Sequence, residues 1–253
     1  MRSSSNRNLR KASLVSLIVL CMTGVFYTGS ASAQLAHLLD LVYPPKSYPA
    51  LKSFPALAAG YWKWLLPISG ANSPWSDTTG AHCGENQSGF VWYLANSAPT
   101  LSGPTSTGPS SIPVTRSCTV PVGRTIVFPV IGRVIVAAPG TMAPYNTESY
   151  LRQQVKFDPA SVLELAVTLD GVAVPNPIRY YEDSDLFSFT IRPGSTSDLA
   201  PGFYSAGVDA NFFFAVQPLL PGHHTLHFRG VLDVGEGFTS TVDVTYNLTV
   251  SLF

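Results

Sequence analysis

Three groups of side chains in this 253-residue sequence have the types and spacing to do chemistry. The first is the loop set Asp77, His82 and Glu85, with Arg116 two residues before a cysteine that can bring it close. An acid, an imidazole and a guanidinium facing one cleft would hold an anionic group such as a uronate. Trp62, Trp75 and Trp92 would add an aromatic platform for sugars. The plainer reading is that Asp77-Thr-Thr-Gly80 caps its own backbone, Arg116 pairs with Asp77 or Glu85, and the tryptophans are core. The second group is His223 and His227, which share a strand face, with Asp209 or Asp233 completing a two-histidine, one-carboxylate metal site. Its plainer reading has His224 bonding the backbone at a turn and His227 satisfied or solvated on its strand. The third is Glu182, Asp183 and Asp185, acids that a glycosidase would need on either side of a cleft. A solvated turn also explains them.

No Gly-x-Ser-x-Gly elbow, His-Glu-x-x-His helix, phosphate loop or dinucleotide fingerprint occurs, and no cofactor is implied. Basic and acidic residues number 15 each. Arg2, Arg7, Arg10 and Lys11 lie in the first 33 residues, ahead of the apolar stretch Ala12 to Tyr27 and the small residues Ala31-Ser-Ala33. That arrangement reads as a signal peptide cleaved after Ala33, with a membrane role only if it stays uncleaved. Its removal leaves 11 basic against 15 acidic residues, a net of −4, interspersed along the chain. A phosphate-neutralising patch for nucleic acid is therefore not expected. About 220 residues remain, enough for one sizeable core or two small ones.

Cys21 leaves with the signal segment, so Cys83 and Cys118 form an even pair in an oxidising compartment, and we read them as one disulfide. Closing a loop of about 36 residues contributes on the order of 3–4 kcal/mol in the chain-entropy model.

The elements that must position these residues read mainly as strands. Residues 34–55 recur in proline and should be extended, after a short helical signal over Leu35–Val42. Pro55–Leu66 reads as a helix with Leu57, Tyr61, Trp64 and Leu65 on one face and Trp62 and Lys63 off it. Phe90–Ala95 reads as a buried strand and Ser97–Pro113 as a loop. Thr125–Val130 and Arg133–Ala137 are strand-like, with Pro129 at a strand end or edge. Thr147–Lys156 reads as a short helix capped by Asn146 or Thr147. Leu163–Leu169 and Val172–Val174 form a hairpin about Asp170-Gly171. Ile178–Tyr181, Leu186–Ile191, Phe212–Val216, His224–Arg229 and Thr239–Val250 complete the set, the last with Val242, Val244, Tyr246, Leu248 and Val250 on its buried face. The fold class is mainly β, an antiparallel β-sandwich of immunoglobulin-like or jelly-roll-like type with two short helices. It spans residues 56–253, with a composition change near residues 140–147 as a candidate subdomain boundary.

Two resemblances rest on these residues. The hairpin Leu163–Val174, the turn Pro221-Gly222-x-His224-Thr225-Leu226 and the terminal strand Val242–Val250 resemble bacterial immunoglobulin-like surface domains over roughly the last 90 residues. That implies a sandwich for adhesion, spacing or binding. Trp62-x-Trp64, Asp77-Thr-Thr-Gly80, Cys83, Gly89–Ala95, Arg116-x-Cys118, Pro121-x-Gly123 and Phe128–Ile131 are similar to a group of secreted bacterial proteins without assigned activity, which implies export and the disulfide.

The expectation is an exported, non-catalytic β-sandwich, structural or binding, at the cell surface, in the periplasm or outside, with a glycan or another surface protein as partner. The alternative is a secreted hydrolase or lyase acting on polysaccharide through the tryptophans and a loop acid, Asp77 or Glu85.

Overall fold

The computed structural model describes residues 41–68, 70–103, 112–193 and 199–252. The signal segment and most of the helical signal over Leu35–Val42 lie outside these residues. Val42 itself makes an isolated bridge to Val216, so the proline-rich segment docks one residue against a sheet before Pro44 and Pro45 take it away.

Helix α1, Phe54–Leu65, starts where Ser53 Oγ accepts the Ala56 N–H and a proline occupies its first turn. Strands β1 (Val91–Tyr93), β2 (Thr100–Ser102), β3 (Val114–Pro121) and β4 (Thr125–Val136) follow. Helix α2, Glu148–Val155, is capped by Thr147 Oγ1. Then come β5 (Val162–Leu169), β6 (Val172–Ala173), β7 (Tyr181–Asp183), β8 (Phe187–Ile191), β9 (Gly202–Val216), β10 (Gly222–Gly235) and β11 (Phe238–Ser251).

These strands form two sheets. One runs β1-β4-β9-β7 with β8 also on β9; the other runs β2-β11-β10-β5-β6 with β3 also on β11. Pairing is antiparallel apart from β1 on β4 and β3 on β11, which are parallel. Both sheets draw strands from either side of residues 140–147.

The β-sandwich with two short helices is as expected, and the differences have local causes. Pro129 sits within β4, where the register against β9 shifts between Pro129 and Gly132; a bulge tolerates the missing N–H. Residues expected as a strand at Ile178–Tyr181 open with a 3₁₀ turn, Pro177–Tyr180, because Asn176 is left-handed and Pro177 starts a helical turn. The loop expected over residues 97–113 contains β2, which pairs with the start of β11. Phe90 is not in the buried strand but 79 % exposed.

The sheets face each other across a core in which Phe128 stacks on Phe214 and, across the interface, on Phe228, with ring centroids 5.7 and 4.9 Å apart. Alternation along β11 buries Val242, Val244, Tyr246, Leu248 and Val250, the expected row. The other face of the five-stranded sheet is covered by α1, and α2 packs on the inner face of β9 and the end of β4 in a small cluster of its own. Asp170 and Gly171 both have positive φ, the geometry expected of that hairpin turn.

Candidate functional site

Alternation on β3 points Arg116, Cys118 and Val120 inward while Thr115, Ser117 and Thr119 face out. Cys118 is bonded to Cys83, with Cα atoms 5.9 Å apart, so the loop after α1 is stapled beside Arg116. The same loop covers the free edge of β3: Ser117 N–H donates to Thr79 O at 2.8 Å. Gly80, at φ 89°, lies so close that a Cβ would collide with the Ser117 carbonyl.

Arg116 is 1 % exposed. Its Nε donates to Asp77 O at 2.6 Å and Nη2 to Trp75 O at 3.1 Å. Its Nη1 reaches Ala95 O, Asn96 O and Tyr246 Oη at 2.7, 3.2 and 2.7 Å. The expected pairing with the carboxylate of Asp77 or Glu85 is therefore corrected. The guanidinium takes the main-chain carbonyl of Asp77 and leaves both carboxylates aside, because β3 aims it under the loop at carbonyls that point inward.

Asp77 instead caps its own turn: Oδ1 accepts from Thr79 N–H and Oγ1 at 2.8 and 2.7 Å, and Oδ2 from His82 N–H at 2.9 Å. Partial burial pushes its carboxyl up, but hydrogen bonds from His82 and Thr79 prevail and hold it at about 2. His82 and Glu85 approach each other at 3.8 Å on the partly exposed side of the loop, away from Arg116's donors. The loop is further tied to α1 by Trp64 Nε1, which donates to Glu85 O at 2.8 Å. Gln87 ties it to β1, donating to Tyr93 O and accepting from Tyr93 N–H.

The three tryptophans do not form a platform. Trp62, expected off the packed face of α1, is buried in the core beneath the helix, and the partly buried Trp75 packs against that core; Trp92 faces the opposite core between the sheets. Trp62 is buried because residues of β8 and β9 close over α1 beyond the stripe that helical period alone marks.

The metal grouping is likewise dispersed. His227 and His223 lie on β10 in the six-stranded sheet, whereas Asp209 is wholly buried in β9 of the other. His227 Nε2 meets Asp243 Oδ1 at 3.0 Å, His223 approaches Thr249, and His224 bridges Asp170 Oδ2 and Leu220 O. Asp233 pairs in register with Thr239 at the far end of β10. Among the described residues, no three His, Cys, Asp or Glu side chains gather to hold a metal ion.

Glu182 and Asp183 lie in β7 rather than a turn, and burial raises the Glu182 carboxyl. Asp209 has no hydrogen bond to either carboxylate oxygen. Burial drives its pKa well up and Asp183 reinforces the rise; Trp62 and Asn211 lie close by but outside hydrogen-bonding geometry, so they oppose it only weakly.

Two features escaped the sequence reading. Tyr246, Arg116's partner, sits in an apolar strand row where only its hydroxyl hints at a polar duty. A groove beside α1 joins Lys52, Lys63 and Phe90, residues 38 positions apart at the extremes, and of these only Lys63 was marked as outward by helical period.

No helix among the described residues is long and apolar enough to cross a membrane. No protein-family model matches the chain, and neither a curated protein nor a solved structure is significantly similar to it.

Proposed function

We propose that the chain is an exported, non-catalytic β-sandwich, cleaved after Ala33, with a structural or binding role at the cell surface or outside the cytoplasm. The observation that carries this reading is the clasp between the loop that holds Asp77 and Cys83 and strand β3. The loop's charged candidates hold the fold: Arg116 bonds four main-chain carbonyls and the Tyr246 hydroxyl, and Asp77 bonds its own turn. A disulfide beside them suits a compartment where thiols are oxidised.

Kinship with immunoglobulin-like surface domains belongs to the same proposal. It is supported by the turn Pro221–Leu226, which enters the penultimate strand β10. That turn is fastened to the β5–β6 hairpin by Asp170, whose carboxylate accepts Thr225 N–H and meets His224.

Intact mass spectrometry of C-terminally tagged protein from fractionated cells tests the proposal. The expected species begins at Gln34, carries no free thiol and is found outside the cytoplasm. A full-length cytoplasmic species with both thiols alkylatable would overturn it.

A further inference from the structure

Between α1, the segment before it and the turn into β1 lies an open groove of about 510 Å³. Its floor is aromatic: Trp64 and Tyr93 stack with centroids 5.6 Å apart and planes 26° from parallel. The indole N–H is engaged by Glu85 O and both rings are buried, so the pair shapes the floor while Phe90 supplies the exposed ring. Gly60 keeps the floor in place, since a Cβ there would collide with Tyr93 Oη.

The walls are held in uncommon backbone. Ala50, Leu51 and Asn86 have φ of 49°, 62° and 50°, the left-handed region that non-glycine residues rarely occupy and that gathers at ligand clamps. Phe90 (79 % exposed) lines the groove, and Leu51 (95 % exposed) stands at its rim between the lining residues Ala50 and Lys52. Such apolar exposure beside a concavity marks an interaction site. The charged groups lining it are Lys52 and Lys63, both exposed, and neither belongs to an ion pair among the described residues.

Two lysines and an exposed phenylalanine lining one groove are complementary to a molecule with an apolar face and an anionic substituent. We infer that this groove binds an acidic sugar, the pyranose C–H face lying on the exposed Phe90 ring and its carboxylate or sulfate on Lys52 and Lys63. Lysines on flexible stems act as point charges and fit either anion, whereas bidentate recognition would call for arginine. The site stands on the binding role proposed above and shares no lining residue with the Arg116 clasp.

Isothermal titration of the mature protein with oligogalacturonate, a sulfated dextran oligomer, neutral pullulan and anionic phospholipid vesicles tests it; the first two separate carboxylate from sulfate. Wild type is expected to bind at least one acidic oligomer, more weakly as salt rises, and not pullulan. Lys52→Gln/Lys63→Gln should lower that affinity roughly tenfold or more, and Phe90→Ser should lower it independently, with unchanged melting because all three side chains are exposed. No acidic-oligomer binding, equal binding of pullulan, affinity indifferent to the lysines, or binding to vesicles alone would each overturn the inference. Failure here with normal processing after Ala33 removes the site; retention in the cytoplasm removes the export reading.

Discussion

Arg116 Nη1 and Tyr246 Oη lie 2.7 Å apart although 130 residues separate them, and the same hydroxyl donates onward to Ala95 O at 2.7 Å. The contact joins neighbouring strands β3 and β11 to the segment leaving β1, and so links the two sheets through a polar path inside an apolar core. A cation in that position needs acceptors around it, since an unpaired buried charge is strongly destabilising. The carbonyls of Trp75, Asp77, Ala95 and Asn96 supply the acceptors, which explains why the loop must close over β3. The Arg116 Cζ also sits 5.5 Å from the Tyr246 ring centroid.

The disulfide should contribute to stability more than to topology. Cys83→Ser/Cys118→Ser is expected to lose on the order of 3–4 kcal/mol in denaturant unfolding while keeping its far-ultraviolet circular dichroism. A loss below about 1 kcal/mol would mean that Arg116 alone secures the loop.

Leu248 and Thr249 test the register of β11. Leu248 is buried between the sheets, and Thr249 faces outward toward His223. Leu248→Ala is expected to cost about 2–5 kcal/mol and Thr249→Ala to be nearly silent. Equal small effects in urea unfolding would contradict the pairing.

How far these features could be read beforehand depended on their range. The Val242–Val250 row, the Asp170–Gly171 hairpin and the helix cap at Thr147 are periodicity and turn chemistry, resolved within a few neighbours. The Cys83–Cys118 bond followed from counting cysteines. Arg116 could be placed near the loop by that bond, but not its acceptors, because main-chain carbonyls carry no sequence signal. Asp209 was grouped with His223 by nearness in sequence, yet β9 and β10 belong to different sheets. Phe90 looked like part of its strand by composition; Gly89, at φ 68°, turns the chain just before it and leaves the ring outside.

Asp209 gives the chain a pH dependence. Its folded pKa lies above the unfolded value, so its contribution is fully present below about pH 4 and is lost as pH rises toward the folded pKa. Asp209→Asn should remove that loss, so the variant gains stability relative to wild type as pH rises to 8, with the gap closing toward pH 4. Thermal unfolding across this range checks it; a variant less stable at pH 8 would show that the carboxylate is favourably solvated.

The most direct test of the account is urea unfolding of Arg116→Lys. An ammonium cannot reach all the carbonyls spread around the edge of the guanidinium, so orphaned acceptors should cost at least about 2 kcal/mol, with Tyr246→Phe costing about 1–2 kcal/mol and less than additively in the double variant. Acidic-sugar binding at the Lys52–Lys63 groove should survive in the folded fraction. Unchanged stability together with loss of sugar binding would make Arg116 a ligand clamp and contradict the structural role assigned to it.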